Sequence, residues 1–377
     1  MEKYFKIYLI LTFLTVSVLI APNVQAEPEF QSILDEYVSK HEFVPGVLAN
    51  VQAKHKHINW SGAVGFSKKE TGETLTVNHS FRIASITKIY TAAAIMRLVE
   101  KEVVKLSAPI SEYISNKTSK ILVNNGFIPN KIFVRHLLNH TSGIPDYAEH
   151  PAYSATILEN PKQIWTRHEQ LIFALTHSRA VGLPGERFSY SDTGYIILGE
   201  IIERTTHKRL GLALRHLLQF DKFNLMNTFL ETTSDTPITS PLMAHAYLGS
   251  INVNQIDPSF DLFGGGGLIS TIQDMTNFIR AVYRGHVFQN STTLSSALTI
   301  SPAIRNPQKE LYSYMGRAIM IGPYNCWSHN GFWGTVTAHC PTPDITVSIT
   351  VNFAGNDDLN LSELLNNLVL TADKIEN

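Results

Sequence analysis

The sequence has few cysteines, few charged side chains and, after its first residues, no long apolar run. Two cysteines among 377 residues exclude a disulfide-dense scaffold and a zinc module built from several cysteines. The 31 Lys and Arg residues nearly balance the 32 Asp and Glu residues, so the basic excess typical of nucleic-acid-binding proteins is missing. Hydrophobic residues make up 44% of the chain, which is enough to build a large core. We therefore expect a globular protein with no nucleic-acid partner.

The N terminus has the pattern of a secretory signal peptide. Lys3 and Lys6 precede an apolar run from Ile7 to Ile20, and small residues follow at the expected cleavage point. We predict a signal peptide over residues 1–26, a mature chain beginning at Glu27, and export to the periplasm or out of the cell. A retained N-terminal anchor is the alternative, although the run is shorter than the roughly 20 residues of a membrane-spanning helix. After cleavage, we expect no stable membrane span.

The two cysteines bracket a segment with the pattern of a β-hairpin. Its turn falls at residues 332–334, which places Cys326 and Cys340 on facing strands. Directly opposed residues of an antiparallel pair are close enough for a disulfide, and an exported protein meets the oxidising conditions that permit one. A register shift of one residue would separate the two sulfur atoms. A disulfide and two buried free thiols are therefore both open at this point.

The order of the predicted elements indicates an α+β fold. We predict strands at 47–53 and 57–64, helices at 85–100 and 131–139, a mostly helical stretch at about 106–236, a helix at 271–283, strands at 312–320, 324–329, 335–340 and 345–352, and a helix at 358–375. The early and late strands can join one antiparallel β-sheet flanked by helices, with the helical stretch inserted as a subdomain of a domain spanning 27–377. The boundary between sheet and insertion is a natural place for a cleft.

The first candidate for chemistry is Ser85-Ile-Thr-Lys88, at the start of a predicted helix. A serine and a lysine three residues apart lie on one helix face. Among apolar neighbours the lysine amine loses hydration, so that it can accept the serine proton, and the helix N-terminus can stabilise a developing oxyanion. The alternative is an N-cap serine followed by a surface lysine.

Two further segments carry candidate residues. Tyr190 lies in Phe-Ser-Tyr-Ser-Asp-Thr-Gly before a predicted helix, where a neighbouring cation can lower the pKa of the phenol enough for proton transfer. The alternative there is a packing tyrosine followed by Asp192 as helix N-cap. His329-Asn-Gly331 ends a predicted strand; His329 would be a donor, cationic at low pH, and Gly331 would admit a substrate backbone. The alternative for this segment is an Asn-Gly turn.

Together these segments resemble the motifs of the serine β-lactamase-like superfamily, in the branch that holds class C β-lactamases, D-alanyl-D-alanine carboxypeptidases, D-aminopeptidases and esterases. That branch carries Ser-x-x-Lys, then Tyr-x-Asn, then a Lys/His-x-Gly strand. Similar segments lie at Arg135–Tyr147, Pro184–Tyr190 and Gly265–Thr271, and the likeness spans about Glu29 to Phe353. The resemblance implies serine acyl-transfer chemistry without a cofactor or a metal.

The resemblance also implies a role for each matching residue. Ser85 would be the nucleophile that forms an acyl-enzyme, and Lys88 and Tyr190 would share the general base and acid work. The backbone N–H groups of Ser85 and Phe332 would form the oxyanion hole. His329 would orient the substrate carboxylate or assist Tyr190.

Asp192 departs from the family pattern, which has Asn at this position. A carboxylate accepts hydrogen bonds but cannot donate one to a substrate carbonyl, and it favours the charged form of a nearby lysine. Ser191-Asp192-Thr193 can also be aligned with the Ser-Asp-Asn motif of class A enzymes, although the flanking residues fit the Tyr190 alignment better. We predict that Asp192→Asn improves turnover of acyl-D-amino-acid substrates.

The sequence therefore predicts an exported serine hydrolase that acts through an acyl-enzyme on a D-amino-acid peptide, a β-lactam or a related amide or ester. Small molecules and peptides, including peptidoglycan-derived peptides, are the expected partners. A small-ester esterase and a catalytically silent member that binds a peptide or protein are the alternatives. His136 and His140 are spaced for a zinc pair, but no His-Glu-x-x-His motif accompanies them, so we predict no metal. The glycine run at 264–267 is predicted to serve close backbone packing, since no P-loop lysine follows.

Overall fold

Helices and strands alternate along the described part of the chain. The computed structural model describes residues 26–232, 235, 237, 239–300, 311–355 and 357–376. The helices are α1 Ala26–Lys40, α2 Thr87–Glu100, α3 Asn116–Asn124, α4 Val134–Leu138, α5 Pro151–Glu159, α6 Arg167–His177, α7 Asp192–Thr206, α8 Leu210–Leu217, α9 Ile272–Tyr283, α10 Ser291–Ala297 and α11 Leu361–Lys374. The strands are β1 Gly46–Ala53, β2 Ile58–Lys68, β3 Glu73–Thr74, β4 Ser80–Arg82, β5 Phe229–Leu230, β6 Tyr247–Leu248, β7 Ile251–Asn252, β8 Leu268–Thr271, β9 Leu311–Ser313, β10 Gly316–Ile321, β11 Tyr324–Gly331, β12 Thr335–Cys340, β13 Ile345–Thr350 and β14 Phe353–Ala354. The signal peptide predicted over residues 1–26 lies, except for Ala26, outside the described residues and stays a prediction.

Eight strands form the central sheet, in the order β3-β2-β1-β13-β12-β11-β10-β9. Every neighbouring pair is antiparallel, and β1 joins the early strands to the late ones by pairing with β13. Two three-stranded sheets, which the sequence pattern did not predict, have the orders β14-β6-β7 and β4-β8-β5. The second of them matters for the site, because β4 leads directly into the turn before α2.

Helices cover both faces of the central sheet. α1 and α11 pack on one face, where Phe30 and Leu368 are fully buried in the same hydrophobic cluster as Val51 of β1. On the other face the amide of Gln52 reaches α9 and donates to Asn277 Oδ1 at 2.8 Å. Successive strand residues point to opposite faces of the sheet. The eight buried residues of β1 therefore pack against the helices on both faces.

The helices of the predicted insertion lie between β4 and β8 in the chain. α7 is the most enclosed of them, since every residue from Asp192 to Ile202 is buried. A helix that is apolar nearly all round is typical of a position inside a domain. Its first residue, Asp192, is therefore held within the protein and beside α2, which α7 contacts.

The α+β architecture predicted from the sequence is confirmed, and most predicted elements match within a few residues. The single strand predicted at 312–320 is wrong, because the chain turns after Ser313 and returns as β10. Gly316, at the start of β10, has φ of 124°, a conformation that side-chain-bearing residues rarely adopt. The helix predicted at 131–139 is also shorter, with a 3-10 turn before α4. None of the described helices is long and apolar enough to cross a membrane.

The late hairpin has the register that the sequence pattern predicted. Gly331 pairs with Thr335 around the turn, and Trp327 pairs with His339. Cys326 and Cys340 come next on either strand and form a disulfide, with 4.2 Å between their Cα atoms. Of the two possibilities that the sequence left open, the structure therefore has the disulfide and not two free thiols.

Candidate active site

Ser85 lies on a tight turn between β4 and α2. Ala84, Ser85 and Ile86 form a 3-10 turn, and Ala84 has a φ of 45°, in the left-handed region that alanine rarely adopts. The neighbouring Ile83 and Ile86 are fully buried, whereas Ser85 keeps part of its surface exposed. The strained turn thus presents a hydroxyl to a cleft at the N-terminal end of α2, an arrangement found at functional sites.

Lys88 lies one helical turn after Ser85, with its amine inside the protein. The side chain is 1% exposed, and Nζ donates to Ser85 Oγ at 2.9 Å, to Asp192 Oδ1 at 2.5 Å and to the Gly265 carbonyl at 2.8 Å. Three acceptors match the three N–H bonds of an ammonium. The alternative of a surface lysine is therefore wrong.

Asp192 is the first residue of α7 and forms a buried ion pair with Lys88. The helix cap is Ser191, whose hydroxyl accepts from the Gly194 N–H at 3.2 Å, so the alternative of Asp192 as N-cap is wrong. Asp192 is positioned instead by Asp146, whose Oδ1 accepts from the Asp192 N–H at 2.7 Å. A Cβ added to Gly265 would lie 2.5 Å from Asp192 Oδ1. Gly265 therefore leaves room for this carboxylate. The predicted close backbone packing is found at Gly264, where an added Cβ would lie 2.7 Å from the Tyr195 carbonyl oxygen.

Tyr190 packs over the Lys88 amine, with 4.9 Å between Nζ and the ring centroid. Burial and then the charge of Asp192 raise the pKa of the Tyr190 phenol well above its ordinary value, although a hydrogen bond with Ser85 opposes the rise. The expectation that a nearby cation lowers this pKa is wrong for the free protein. Lys88 is present, but burial and Asp192 outweigh it.

His140 holds the Tyr190 ring in place. The two rings stack with centroids 4.4 Å apart, and His140 Nδ1 accepts from the Ser191 N–H at 3.1 Å. Burial and then the charge of Lys88 lower the pKa of His140 well below its ordinary value, so the imidazole stays neutral. His136 likewise uses Nδ1 to accept from a backbone N–H, that of Phe133. Among the described residues, no group of three His, Cys, Asp or Glu side chains is placed to hold a metal ion.

His329 lies on β11 with both ring nitrogens bonded inside the protein. Nδ1 faces the Asn330 carbonyl at 2.8 Å and must donate to it, so Nε2 accepts from the Tyr312 hydroxyl at 2.5 Å. Burial, followed by the charge of Lys88, lowers the pKa of His329 to about 3. His329 therefore stays neutral well below neutral pH, and the expectation that it becomes a cation at moderately low pH is wrong.

Gly331 and Phe332 bring the end of β11 against the turn that carries Ser85. A Cβ added to Gly331 would lie 2.4 Å from the Ile83 carbonyl oxygen, so this glycine permits close contact between two protein segments. Phe332 is 60% exposed and meets Trp333 edge to face at 4.8 Å. The sequence suggested that Gly331 leaves room for the backbone of a substrate. In the structure that room is filled by the protein's own backbone at Ile83.

A cleft of about 340 Å³ opens beside Ser85. Its polar lining comprises Ser85, Tyr190, Asp192, Glu149, Asp261 and Ser154. Its apolar lining includes Tyr153, Ile157, Leu158, Val253, Phe260, Phe332 and Trp333. Of the residues predicted as functional, Ser85, Tyr190, Asp192 and Phe332 reach the cleft wall, whereas Lys88, His329 and Gly331 lie behind it.

The acidic residues around the cleft were missed by sequence reasoning. Burial and then the charge of Asp192 raise the pKa of Asp146 and that of Asp261 to about 7 each. The same two causes raise the pKa of Glu149. Burial is the largest cause of all three shifts, the charge of Asp192 adds to each, and the charge of Lys88 opposes each. Asp146 belongs to a segment that the resemblance singled out, but nothing in the sequence pattern pointed to Glu149 or Asp261.

The architecture and the placement of Ser85 and Lys88 are those of a serine hydrolase with a β-lactamase-type fold. The family model of the β-lactamases matches residues 30–370. The chain therefore belongs to the β-lactamase family. Penicillin-binding protein 4* of Bacillus subtilis (strain 168) is 28% identical over 183 residues, 47% of this chain and 36% of that protein. N-acetylmuramyl-L-alanine amidase of the same organism is 26% identical over 348 residues, 82% of this chain and 77% of that protein.

A solved structure supports the same fold. The D-amino acid amidase from Ochrobactrum anthropi SV3, in complex with L-phenylalanine amide, superposes with a TM-score of 0.77 and 23% identity, covering 92% of this chain and 98% of that one. The identity is low, so this likeness concerns the fold. The match to penicillin-binding protein 4* spans little more than a third of that protein's length. The activity of penicillin-binding protein 4* is therefore not assigned to this chain.

Proposed function

We propose that this protein is a serine hydrolase that forms an acyl-enzyme on Ser85, and that it prefers small amides or esters carrying a protonated amine, such as D-aminoacyl compounds. The observation that carries the proposal is the placement of the Lys88 amine. It lies 2.9 Å from Ser85 Oγ while two further acceptors, Asp192 and the Gly265 carbonyl, hold it from the other side.

This placement supports a proton path in both protonation states of Lys88. As an ammonium, Nζ donates to all three neighbours. As a neutral amine, it keeps two N–H bonds for Asp192 and Gly265 and directs its lone pair at the Ser85 hydroxyl. Ser85 Oγ then attacks the substrate carbonyl while its proton passes to Lys88. Tyr190, protonated because of its raised pKa, is suited to deliver a proton to the leaving amine or alkoxide.

The closeness of β11 to the Ser85 turn supports the oxyanion hole. Gly331 packs against the Ile83 carbonyl, which brings the next residue, Phe332, to the same cleft as Ser85. We infer that the backbone N–H groups of Ser85 and Phe332 stabilise the oxyanion that develops during acylation and again when water attacks the acyl-enzyme.

The charges of the cleft support a cationic substrate. Glu149, Asp192 and Asp261 line it together with Ser85, and Lys88 pairs with Asp192. Because the pKa of Asp261 is raised to about 7, its carboxyl is only partly ionised at neutral pH, and a bound ammonium would favour the ionised form. A protonated amine gains by entering such a site, whereas the carboxylate of a β-lactam meets repulsion. His329 cannot act as a cation that binds such a carboxylate, because its pKa of about 3 keeps it neutral.

The apolar wall supports a substrate with a hydrophobic side group. Tyr153, Ile157, Leu158 and Phe260 line the cleft, and Phe332 is exposed at its edge. A pocket of this size and composition is suited to an aliphatic or aromatic side chain. We infer that the amine binds toward the carboxylates while the side chain lies on the apolar wall.

Export of the mature chain is part of the proposal. The disulfide between Cys326 and Cys340 supports it, because such bonds persist in oxidising compartments. Mass spectrometry of the protein recovered from the extracytoplasmic fraction should find Glu27 at its N terminus. Recovery of the chain only in the cytoplasm would contradict this part.

The decisive experiment combines a fluorophosphonate probe with matched substrates. We expect one adduct, on Ser85, that is lost in Ser85→Ala. We also expect D-phenylalanine p-nitroanilide to be hydrolysed at least tenfold faster than its N-acetyl derivative, a difference of about 1.4 kcal/mol in the barrier. No adduct on folded protein would favour a catalytically silent binding protein. An adduct together with rapid nitrocefin hydrolysis would instead favour a β-lactamase.

A further inference from the structure

A second, basic groove lies at the far end of the central sheet from Ser85. It is about 540 Å³ in volume and is formed by the β1–β2 turn, the loop at 222–224, the end of α9 and the β12–β13 turn. The sheet register fixes its distance from the cleft. Thr350 pairs with both Thr335, near the cleft, and Leu48, whereas Gln52 of the groove pairs with Thr346. Four residues of an antiparallel strand separate the two ends by roughly 14 Å.

Cations outnumber carboxylates in this groove. Lys54, Lys222, Arg280 and Arg284 line it, and Asp344 is the sole carboxylate among its lining residues. The guanidinium of Arg280, 4% exposed, forms the floor and donates to Asp344 Oδ2 at 2.5 Å, while Arg284 pairs with the same carboxylate. The whole chain has a net charge of −1, so this is a local concentration of positive charge.

His286, an exposed residue, shares the groove with the four cations. Partial desolvation, followed by the charges of Arg284, Lys54, Lys222 and Arg280, lowers the pKa of its imidazole. Lys222 Nζ also donates to the His286 carbonyl oxygen at 3.4 Å. Cationic side chains from three separate segments thus line one groove, and this concentration of positive charge favours binding of an anion.

We propose that this groove binds a polymer that carries repeated phosphate groups. Two exposed lysines and the partly exposed Arg284 suit phosphate oxygens, since Arg recognises them with paired N–H groups and Lys as a point charge. A polymer fits better than a bilayer for two reasons. The site is concave, and none of its lining residues is an exposed large apolar side chain that could enter a membrane.

The test measures binding of long-chain inorganic polyphosphate to the full protein. We expect salt-sensitive binding that weakens at least tenfold in Lys54→Glu/Lys222→Glu. The matched control is Lys105→Glu/Lys120→Glu, which makes the same charge change at exposed lysines outside the groove and should weaken binding less than twofold. Lys54→Gln/Lys222→Gln, with an intact circular dichroism spectrum, repeats the test without charge reversal.

Two further arms identify the source of the phosphate. Orthophosphate should compete only weakly, because a polymer releases more counterions on binding. Vesicles of phosphatidylglycerol and phosphatidylcholine should bind no better than phosphatidylcholine vesicles alone. Equal losses in the groove and control variants, no polyphosphate binding by the wild type, or tighter binding to the anionic vesicles would each overturn the proposal. None of these outcomes depends on whether Ser85 is catalytic.

Discussion

Asp192→Asn tests how the charge of this carboxylate controls the candidate nucleophile. The variant keeps an oxygen that can accept from Lys88 Nζ, and it removes the negative charge that lies 2.5 Å from that amine. The other contacts of Lys88, to Ser85 Oγ and the Gly265 carbonyl, are unchanged. The amine therefore loses its closest counter-charge but keeps its position.

The expected magnitude follows from the worth of a charged hydrogen bond. Such bonds contribute about 1.5–3 kcal/mol in proteins, against about 0.5–1.5 kcal/mol for a neutral hydrogen bond. Asp192→Asn replaces the first kind by the second, which is a loss of about 1–1.5 kcal/mol. Because each 1.36 kcal/mol is worth about tenfold, acylation below neutral pH should become about five- to tenfold faster. The acid limb of the acylation rate should shift to lower pH by up to about one unit, because the base is the free amine.

The assay is the pH dependence of Ser85 acylation, followed with the fluorophosphonate probe and with paired N-acetylated and free-amine D-aminoacyl p-nitroanilides. We expect faster acylation below neutral pH and faster turnover of the N-acetylated substrate. The preference for the free amine should fall by about tenfold, since one carboxylate that attracts the ammonium is lost. An acid limb that stays at the wild-type pH would refute the base role assigned to Lys88. Unchanged turnover of the N-acetylated substrate would refute the earlier prediction that Asp192 hinders it.

Three other variants test separate parts of the structure. Replacing Cys326 and Cys340 by alanine should lower the free energy of unfolding by about 3 kcal/mol, measured by urea denaturation, and wild type under reductant should match the variant. The pKa of Asp261 rises from 3.8 to about 7 on folding, so the folded state holds a proton that the unfolded state releases between these values. Wild-type stability should therefore fall as pH rises from about 4 to 7, and Asp261→Asn should flatten that part of the melting-temperature profile; an equally steep profile would contradict the shift. Gly331→Ala places a Cβ 2.4 Å from the Ile83 carbonyl, so probe labelling should slow by more than tenfold at a cost of about 1–3 kcal/mol in stability. Labelling at the wild-type rate would show that this contact does not position the site.

Local patterns in the sequence were sufficient to predict the parts of the site that depend on local geometry. Ser85 and Lys88 share a helix face because they are three residues apart, and Cys326 faces Cys340 because a short turn sets the hairpin register. The contact between Lys88 and Asp192 spans 104 positions, so no periodicity could reveal it. Resemblance to a family was needed to place that pair together.

The remaining features depend on packing that the sequence pattern does not show. Asp146 accepts from the first N–H of α7 although 46 positions separate it from Asp192, whereas helix-capping patterns are read from adjacent residues. The expectations of a lowered pKa for Tyr190 and of a cationic His329 at low pH failed for the same reason. Sequence reasoning counted the nearby charge or the ordinary histidine value, but burial is the largest cause of both shifts.

The carboxylate at position 192 and the acidic cleft are best understood as one feature. The family asparagine would leave Lys88 with a neutral partner. Asp192 instead adds negative charge near Asp146, Glu149 and Asp261, and this charge adds to burial in raising the pKa of each. Repulsion between these carboxylates destabilises the free protein, and a bound protonated amine would reduce that repulsion. A neutral or anionic substrate would not reduce it. The same carboxylate that hinders an N-acylated substrate is therefore the one from which a substrate with a free amine gains.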